Sequence, residues 1–269
     1  MAHSSRGLGH LPLKEEITGS NPVCATNKLK QVLPGTFFAI PVENIYWRVA
    51  VNSGIEEYLK PTPSIDCEAD SLKEKAQALT KGQGQISEKA RSLFYFVRDE
   101  IKYNMYSPFH LPEHYRASAI LERGEGYCVQ KAVLLAALAR AIGIPTRLRF
   151  ADIRNHLATQ KVIETIGTNL FVYHAYDEFY IDGRWIKAAP TFDIKMCQEN
   201  RIIPVEFDGK NDALLHSHNQ DGKPHIEYVH DYGHYQDVPL NEILNAWNQA
   251  YGAERMEWFK RTWGKPTGR

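Results

Sequence analysis

The segment that most constrains the fold of this chain is a nearly uninterrupted apolar run at residues 132–142, in which Arg140 is the only polar side chain. A helix that is apolar on almost every face has to be buried on almost every face. Gly143 and Pro145 follow, as is typical of a helix C-terminus, and residues 144–150 then have the character of a strand. The chain is therefore predicted to build its core around one central helix that is followed by a strand.

Cys128 lies at the start of this helix, behind a turn that contains Gly124 and Gly126. The unpaired N–H groups and the positive dipole end of a helix N-terminus favour the thiolate, which is the nucleophilic form of cysteine. This placement makes Cys128 a candidate nucleophile. The plainer alternative is a small buried apolar residue or an exposed bystander, which is what we expect of Cys24, Cys67 and Cys197.

A strand-like region at residues 169–181 supplies a candidate base. Asp182-Gly183 separates it from a shorter run at residues 184–188, and Asp-Gly between two such runs is a strong hairpin signal. Alternate side chains share one face of a strand, so the imidazole of His174 can project from the sheet toward a helix packed on it. A thiol and an imidazole within hydrogen-bonding reach form the nucleophile and base of covalent catalysis.

Taken in order, these segments resemble the transglutaminase-like superfamily. The resemblance is carried by GEGYCVQKAVLLAALARAIGIPTR, HAYDEF and DGRWIKAAPTFD, between about Gly124 and Asp193, and the helical segments upstream extend it to about Tyr58. It implies an α+β fold with a papain-like or transglutaminase-like core, in which the nucleophile-bearing central helix packs on an antiparallel β-sheet.

The resemblance also implies a catalytic triad of Cys128, His174 and an acid. Many members of the superfamily place that acid directly before the Pro-Thr turn, where this chain has Ala189. A bacterial branch, which the chain resembles, uses the residue that corresponds to Asp193, and we therefore expect Asp193 to orient the imidazole. An Asp after a turn is also commonly a helix cap, so this role competes with a structural one.

The chemistry implied by the resemblance is acyl transfer on an amide bond through a thioester, without a cofactor. We expect hydrolysis by a peptidase or amidase acting on a peptide, a protein or a small amide. One alternative is an amide-forming transglutaminase or N-acyltransferase, and a second is a non-catalytic scaffold of the same fold, which Ala189 favours. Aromatic residues near the site are candidates for the substrate cleft: Tyr103, Tyr127 and Tyr173, and also Tyr106 and Phe109.

A histidine-rich segment is a candidate metal site, because histidine is a common metal ligand. It lacks the short ligand spacings that are typical of zinc sites, and the glycine-containing turns around it indicate a surface hairpin. We therefore expect no metal at its histidines, which are His216, His218, His225, His230 and His234.

The rest of the chain is consistent with a single catalytic domain at residues 34–269, preceded by a mobile leader at residues 1–33. Helical periodicity predicts helices at about residues 68–80, at 87–103 with Ser87 as the N-cap, and at 239–258, the last packed on the core. Residues 37–40 and 45–51 are strand-like, and residues 55–59 form a short element before a proline-rich break.

The 32 basic and 32 acidic residues balance, which gives no electrostatic footprint for nucleic acid or for an anionic membrane surface. No apolar run has the length of a transmembrane helix or the character of a signal peptide. Four cysteines without a framework spacing indicate a reducing cytoplasm. The sequence leaves the oligomeric state open.

Overall fold

Four antiparallel strands form the main sheet of the computed structural model, which describes residues 54–263. The predicted leader, Cys24 and the strand-like runs at residues 37–40 and 45–51 lie outside the described residues. The helices are α1 (Asp70–Leu79), α2 (Ile86–Glu100), α3 (Ala117–Arg123), α4 (Cys128–Ala141), α5 (Gln160–Ile166), α6 (Ile194–Glu199), α7 (Leu240–Tyr251) and α8 (Ala253–Thr262). The strands are β1 (Lys102–Tyr103), β2 (Glu125–Gly126), β3 (Thr146–Asn155), β4 (Leu170–Ile181), β5 (Arg184–Ala188) and β6 (Ile226–Tyr235).

The strand order in the main sheet is β5-β4-β3-β6, and every pair in it is antiparallel. The predicted hairpin between β4 and β5 is present, with Asp182 at φ 50° and Gly183 at φ 83°. Positive φ at both turn residues is what a tight hairpin with the right-handed strand twist requires. The strands β1 and β2 form a separate, parallel pair.

Helix α4 is the centre of the core, as the apolar run predicts. Every residue from Val129 to Arg140 is buried, and the helix packs on β3 and β4 as well as on α1, α2 and α3. It ends where Gly143 adopts φ 80° and donates its N–H to the carbonyl of Arg140 at 3.0 Å, which is a glycine C-cap. The predicted α+β class, with a central helix that begins at Cys128 and packs on an antiparallel sheet, is confirmed.

Two predicted helices differ in detail from the structure. Helix α2 is capped at Gln85 rather than at Ser87, and it ends at Glu100 because the chain then extends into β1. The single helix predicted at residues 239–258 is two helices, α7 and α8, which are separated at Gly252. Gly252 has φ 90°, a conformation that breaks helical geometry and that glycine adopts without strain.

Residues 55–59, predicted as a short element, contain a 3₁₀ turn at Glu56–Leu59. Among the described helices, none combines the length and the hydropathy that crossing a lipid bilayer would require.

Candidate active site

The start of α4 is held by the β1–β2 pair. Tyr103 lies opposite Gly126 in that pair, and the N–H of Asn104 donates to the carbonyl of Gly126 at 3.0 Å. A Cβ atom on Gly126 would come within 2.9 Å of Cβ of Gln130, so only glycine allows this close approach. The turn that presents Cys128 is therefore positioned by β1 from one side and by the first turn of α4 from the other.

Gln130 secures the same turn through its side chain. Its Oε1 accepts from the N–H of Tyr127 at 3.4 Å, while its Nε2 donates to the carbonyl of Pro108 at 2.7 Å and to that of His114 at 3.0 Å. A fully buried amide with these partners resists displacement, since breaking any one bond would leave a buried polar group unpaired. The first turn of α4, with Cys128 as its first residue, is thereby tied to the loop before α3.

His174 follows an irregularity in β4. The β3–β4 register shifts between Ala151 and Ile153, and Tyr173 has φ 58°. The N–H of Tyr173, which the shift releases from the regular ladder, donates to Oδ1 of Asp152 at 3.0 Å. Bulges of this kind re-aim neighbouring side chains, and this one precedes the candidate base directly.

Helix α7 forms hydrogen bonds with both the N–H and the carbonyl of Val172, which lies two residues before His174. Trp247 donates its indole N–H to the carbonyl of Val172 at 2.8 Å, and the hydroxyl of Tyr251 accepts from the N–H of Val172 at 2.8 Å. The irregular part of β4 thus receives from side chains the hydrogen bonds that a neighbouring strand would otherwise supply. The position of His174 therefore depends on α7.

Cys128 and His174 line two cavities together. The first is the aromatic cavity, and its lining includes Tyr103, Tyr127, Phe171, Tyr173, Trp247, Tyr251, Phe259 and Trp263. The second is the mixed cavity, and its lining includes Asn155, Thr159, Thr191, Phe192, Asn200 and His225. The thiol and the imidazole therefore lie where the two cavities meet.

Burial decides the protonation of both groups. It raises the pKa of the Cys128 thiol to about 11, although the backbone N–H groups of Ala175 and Val129 act in the opposite direction. It also lowers the pKa of His174 to about 3. The resting pair at neutral pH is a thiol and a neutral imidazole, whereas the sequence favoured a thiolate, because desolvation outweighs the N–H groups of the helix N-terminus.

Asp193 is engaged by backbone N–H groups. Its Oδ1 accepts from Met196 at 2.8 Å as the N-cap of α6, and its Oδ2 accepts from Tyr103 at 2.9 Å. Within residues 54–263, Nε2 of His174 is buried without a hydrogen-bond partner. The structure therefore does not join Asp193 to His174 by a hydrogen bond, and the orienting role assigned to Asp193 stays a prediction.

A family model described as the transglutaminase-like superfamily matches residues 73–190, an interval that contains both Cys128 and His174. This segment belongs to the transglutaminase-like superfamily. No curated protein matches the chain.

Among solved structures, the chain is similar to a candidate cysteine protease from Cytophaga hutchinsonii, with 18% identity and a TM-score of 0.42 over 73% of this chain and 57% of that one. It is similar to a candidate protease from Parabacteroides distasonis, with 19% identity and a TM-score of 0.32 over 44% and 23% of the two chains. For a protein described as a TGase, the values are 20% identity and a TM-score of 0.30 over 56% and 38%. This chain spans 57% or less of the length of each of these proteins.

The predicted substrate-cleft residues lie in different places around the transglutaminase-like core. Tyr103, Tyr127 and Tyr173 line the aromatic cavity. The hydroxyl groups of Tyr127 and Tyr115 are hydrogen-bonded to each other at 2.6 Å. Neither Tyr106 nor Phe109 is among the cavity-lining residues in the described part of the chain, and Phe109 is buried against Trp247, with ring centroids 5.5 Å apart.

Sequence reasoning missed the C-terminal contribution to the site. Trp247 and Tyr251 of α7, Phe259 of α8 and Trp263 beyond it line the aromatic cavity beside the transglutaminase-like core. The helical periodicity of α7 indicated only packing on the core. The local signal that was available is the concentration of aromatic residues near the C-terminus, but it carries no information about which wall they form.

The histidines of the histidine-rich segment differ in their exposure. His216, His218, His230 and His234 are exposed, whereas His225 is 1% exposed and lines the mixed cavity beside the core. The predicted surface turn is present, with an antiparallel bridge between His218 and Pro224, but His225, which follows it directly, is buried rather than exposed. Residues 54–263 contain no group of three or more His, Cys, Asp or Glu side chains that could hold a metal ion.

Proposed function

We propose that the protein is a cysteine-dependent acyl-transfer enzyme that cleaves an amide bond through a thioester on Cys128. The observation that carries the proposal is that Cys128 and His174 line the same two cavities. A nucleophile and a base that face a common space meet the first geometric requirement of covalent catalysis. The transglutaminase-like match at residues 73–190 supports the same chemistry.

In the proposed first half-reaction, the neutral imidazole of His174 takes the thiol proton while Sγ of Cys128 bonds to the carbonyl carbon. The N–H groups at the start of α4, which have no partner within the helix, stabilise the oxyanion. Collapse of the intermediate breaks the C–N bond, and the amine leaves with the proton held by His174. The imidazole is neutral before this step and can therefore accept the proton. Because burial also makes it a weak base, the proposed transfer requires that the bound substrate and the developing oxyanion raise its pKa toward the operating pH.

The second half-reaction decides the class of enzyme. We favour hydrolysis, in which His174 takes a proton from water as the oxygen bonds to the thioester carbon and the C–S bond breaks. The products are then a carboxylic acid and the free thiol, which describes a peptidase or amidase. If an amine attacks instead, the protein is an amide-forming transglutaminase or N-acyltransferase, an alternative that the room beside Cys128 in a second cavity favours.

The second alternative is a non-catalytic scaffold of the same fold. The unpartnered Nε2 of His174 within the described residues favours it, as does Ala189 in the position where many members of the superfamily have the acid. We rank it below catalysis because both Cys128 and His174 border open cavity space.

The proposed substrate is a peptide, a protein or a small amide. The proposed chemistry uses no cofactor. The proposed compartment is the reducing cytoplasm, where a catalytic thiol stays available. The cysteines of the described residues, Cys67, Cys128 and Cys197, are free thiols and so are compatible with such a compartment.

The proposal is tested with p-nitrophenyl butyrate, an activated acyl donor that does not require knowledge of the natural substrate. We expect a burst of p-nitrophenolate and a butyryl adduct that peptide mass mapping places on Cys128. Both should disappear in Cys128→Ser and fall strongly in His174→Ala. Cys197→Ser is the matched control, because burial raises the pKa of Cys197 to about 11 as well, yet Cys197 lines neither cavity.

Amine added to the acyl-enzyme distinguishes the reactions. A hydrolase releases butyric acid at an unchanged rate, whereas an acyltransferase converts the adduct into the butyryl amide. An adduct distributed equally over Cys128 and Cys197, without a burst, would overturn the catalytic proposal in favour of the scaffold.

A further inference from the structure

The mixed cavity contains polar side chains that the acyl-transfer chemistry does not use. Both ring nitrogens of His225 and the hydroxyl of Thr191 are buried and have no hydrogen-bond partner in the described structure. Their residues are 1% and 2% exposed, respectively. A buried polar group that is left unpaired destabilises the folded protein, so two such side chains in one cavity wall indicate that a ligand supplies their partners.

His225 is held rigidly although its ring is unpaired. Its backbone N–H donates to the carbonyl of Ser217 at 2.8 Å, and its own carbonyl accepts from the N–H of His156 at 2.8 Å. Its ring lies nearly parallel to that of Phe192, at a centroid distance of 6.0 Å and an interplanar angle of 28°. The imidazole is therefore preorganised, which lowers the entropic cost of binding a partner.

The imidazole of His225 is neutral at physiological pH. Burial lowers its pKa to about 4, and the charges of His216 and His156 act in the same direction. A neutral imidazole presents one N–H donor and one lone pair. It therefore complements a group that also offers both an acceptor and a donor, and it carries no charge that would compensate a buried carboxylate or ammonium ion.

The two cavities differ in what they offer to the halves of a substrate. The described lining of the aromatic cavity is dominated by ring side chains, which suit an apolar group. The mixed cavity is the larger of the two and holds the unpaired polar groups. The incoming water or amine also needs hydrogen-bond partners next to the thioester. The polar side chains of the mixed cavity can supply them.

We propose that the aromatic cavity binds an aromatic or aliphatic acyl group, and that His225 and Thr191 bind an uncharged carboxamide in the leaving part of the substrate, within the mixed cavity. This assignment rests on the proposed function for the direction of cleavage, because it places the scissile carbonyl at Cys128 between the cavities. It names the substrate class as N-acyl amino acid amides, or internal peptide bonds, in preference to substrates with a free carboxylate directly after the cleaved bond.

The test is a binding measurement that requires no chemistry. Phenylacetyl-glycinamide and phenylacetyl-glycine differ only in a terminal amide or carboxylate, and both are titrated into the Cys128→Ala variant by isothermal calorimetry or ligand-observed NMR. We expect the neutral amide to bind at least about tenfold more tightly, since the carboxylate would be buried without a compensating charge.

His225→Phe keeps a ring beside Phe192 and removes both hydrogen-bonding nitrogens. It should weaken phenylacetyl-glycinamide by about three- to tenfold, the range expected for one buried hydrogen bond, and should leave phenylacetamide, which lacks the distal amide, unchanged within twofold. Thr191→Val is a second variant of nearly equal volume with the same expected direction. His218→Phe, at an exposed histidine outside the cavity linings, is the matched control and should change neither ligand.

Equal affinity for the amide and the carboxylate, or unchanged amide binding in both folded variants, would overturn the assignment. A folded Thr191→Val protein keeps the test decisive if His225→Phe does not fold. Because binding is measured without Cys128, the outcome is separate from the burst experiment. A burst without amide preference rejects the subsite alone, and amide preference without a burst rejects the catalytic proposal alone.

Discussion

At the scale of single residues, the resting state of Cys128 is set by its burial. Its pKa of about 11 lies above the value of about 8.5 for a free thiol. Because the thiolate is the reactive form, alkylation by iodoacetamide should be slow at pH 7 and should rise as the pH approaches 11. The measurement is the pH dependence of alkylation of each cysteine by mass spectrometry. Fast labelling of Cys128 below pH 8 would show that the thiolate is stabilised after all.

Asp193 has two possible roles, which mutagenesis separates. Asp193→Ala removes the N-cap of α6 and the acceptor for Tyr103, and should lower the free energy of unfolding by about 2 kcal/mol. Asp193→Asn keeps one acceptor oxygen but turns its NH2 group toward the second N–H, and should cost about 1 kcal/mol. Urea denaturation measures both changes. If Asp193 acts only as a cap and as the partner of Tyr103, the Asn variant keeps the p-nitrophenyl butyrate burst. A large loss of the burst rate in a stably folded Asn variant would instead assign it the orienting role.

At the scale of secondary-structure elements, α7 stabilises the irregular part of β4 that precedes His174. Tyr251→Phe removes the hydroxyl that accepts from the N–H of Val172 and leaves that buried donor unpaired. We expect a loss of about 1–2 kcal/mol in unfolding free energy, together with a slower burst, because Val172 loses one of its two hydrogen bonds to α7. Thermal and urea denaturation measure the first effect.

Tyr106→Phe is the matched control for this change, because Tyr106 is 38% exposed and contacts neither cavity among the described residues. It should alter the unfolding free energy by less than about 0.5 kcal/mol. If the two tyrosine variants are equally stable, the hydrogen bond from Val172 to Tyr251 does not support β4.

At the scale of the whole molecule, two buried neutral histidines couple stability to pH. The pKa values of His174 and His225 are about 3 and about 4, below the value of about 6.5 expected in the unfolded chain. Below pH 6.5 the unfolded chain therefore binds protons that the folded chain does not bind. The stability that these groups contribute is present above pH 6.5 and is lost as the pH falls toward 4.

Differential scanning calorimetry between pH 7 and pH 4 measures this dependence as a falling Tm. Asp177 acts in the opposite sense, since burial raises its pKa and the folded state retains its proton more readily than the unfolded state does. The difference between wild type and His225→Phe isolates one histidine, and the variant should lose less Tm on acidification. Parallel pH curves for the two proteins would contradict the buried, neutral state of His225.

Local patterns along the chain determined much of the architecture. The apolar run, Gly143 and Pro145 were enough to place α4, and Asp182-Gly183 was enough to place the β4–β5 turn, because caps and turns depend on a few neighbouring residues. Residues 73–190 also carry a family pattern that identified Cys128 and His174 as the residues to examine. Each of these features depends on residues that are close together in the sequence, because helix caps and hairpin turns are formed by interactions between near neighbours.

Only the tertiary structure decided the protonation of Cys128 and His174, the use of both oxygens of Asp193 by backbone N–H groups, and the inward position of His225. It also decided that Trp247 and Tyr251 of α7, distant in sequence, form a wall of the site. Desolvation and hydrogen-bond partners depend on which distant segments pack together, and periodicity or spacing does not encode that pairing. The sequence by itself determined which groups could react, and the packing determined their charge, their partners and the space around them.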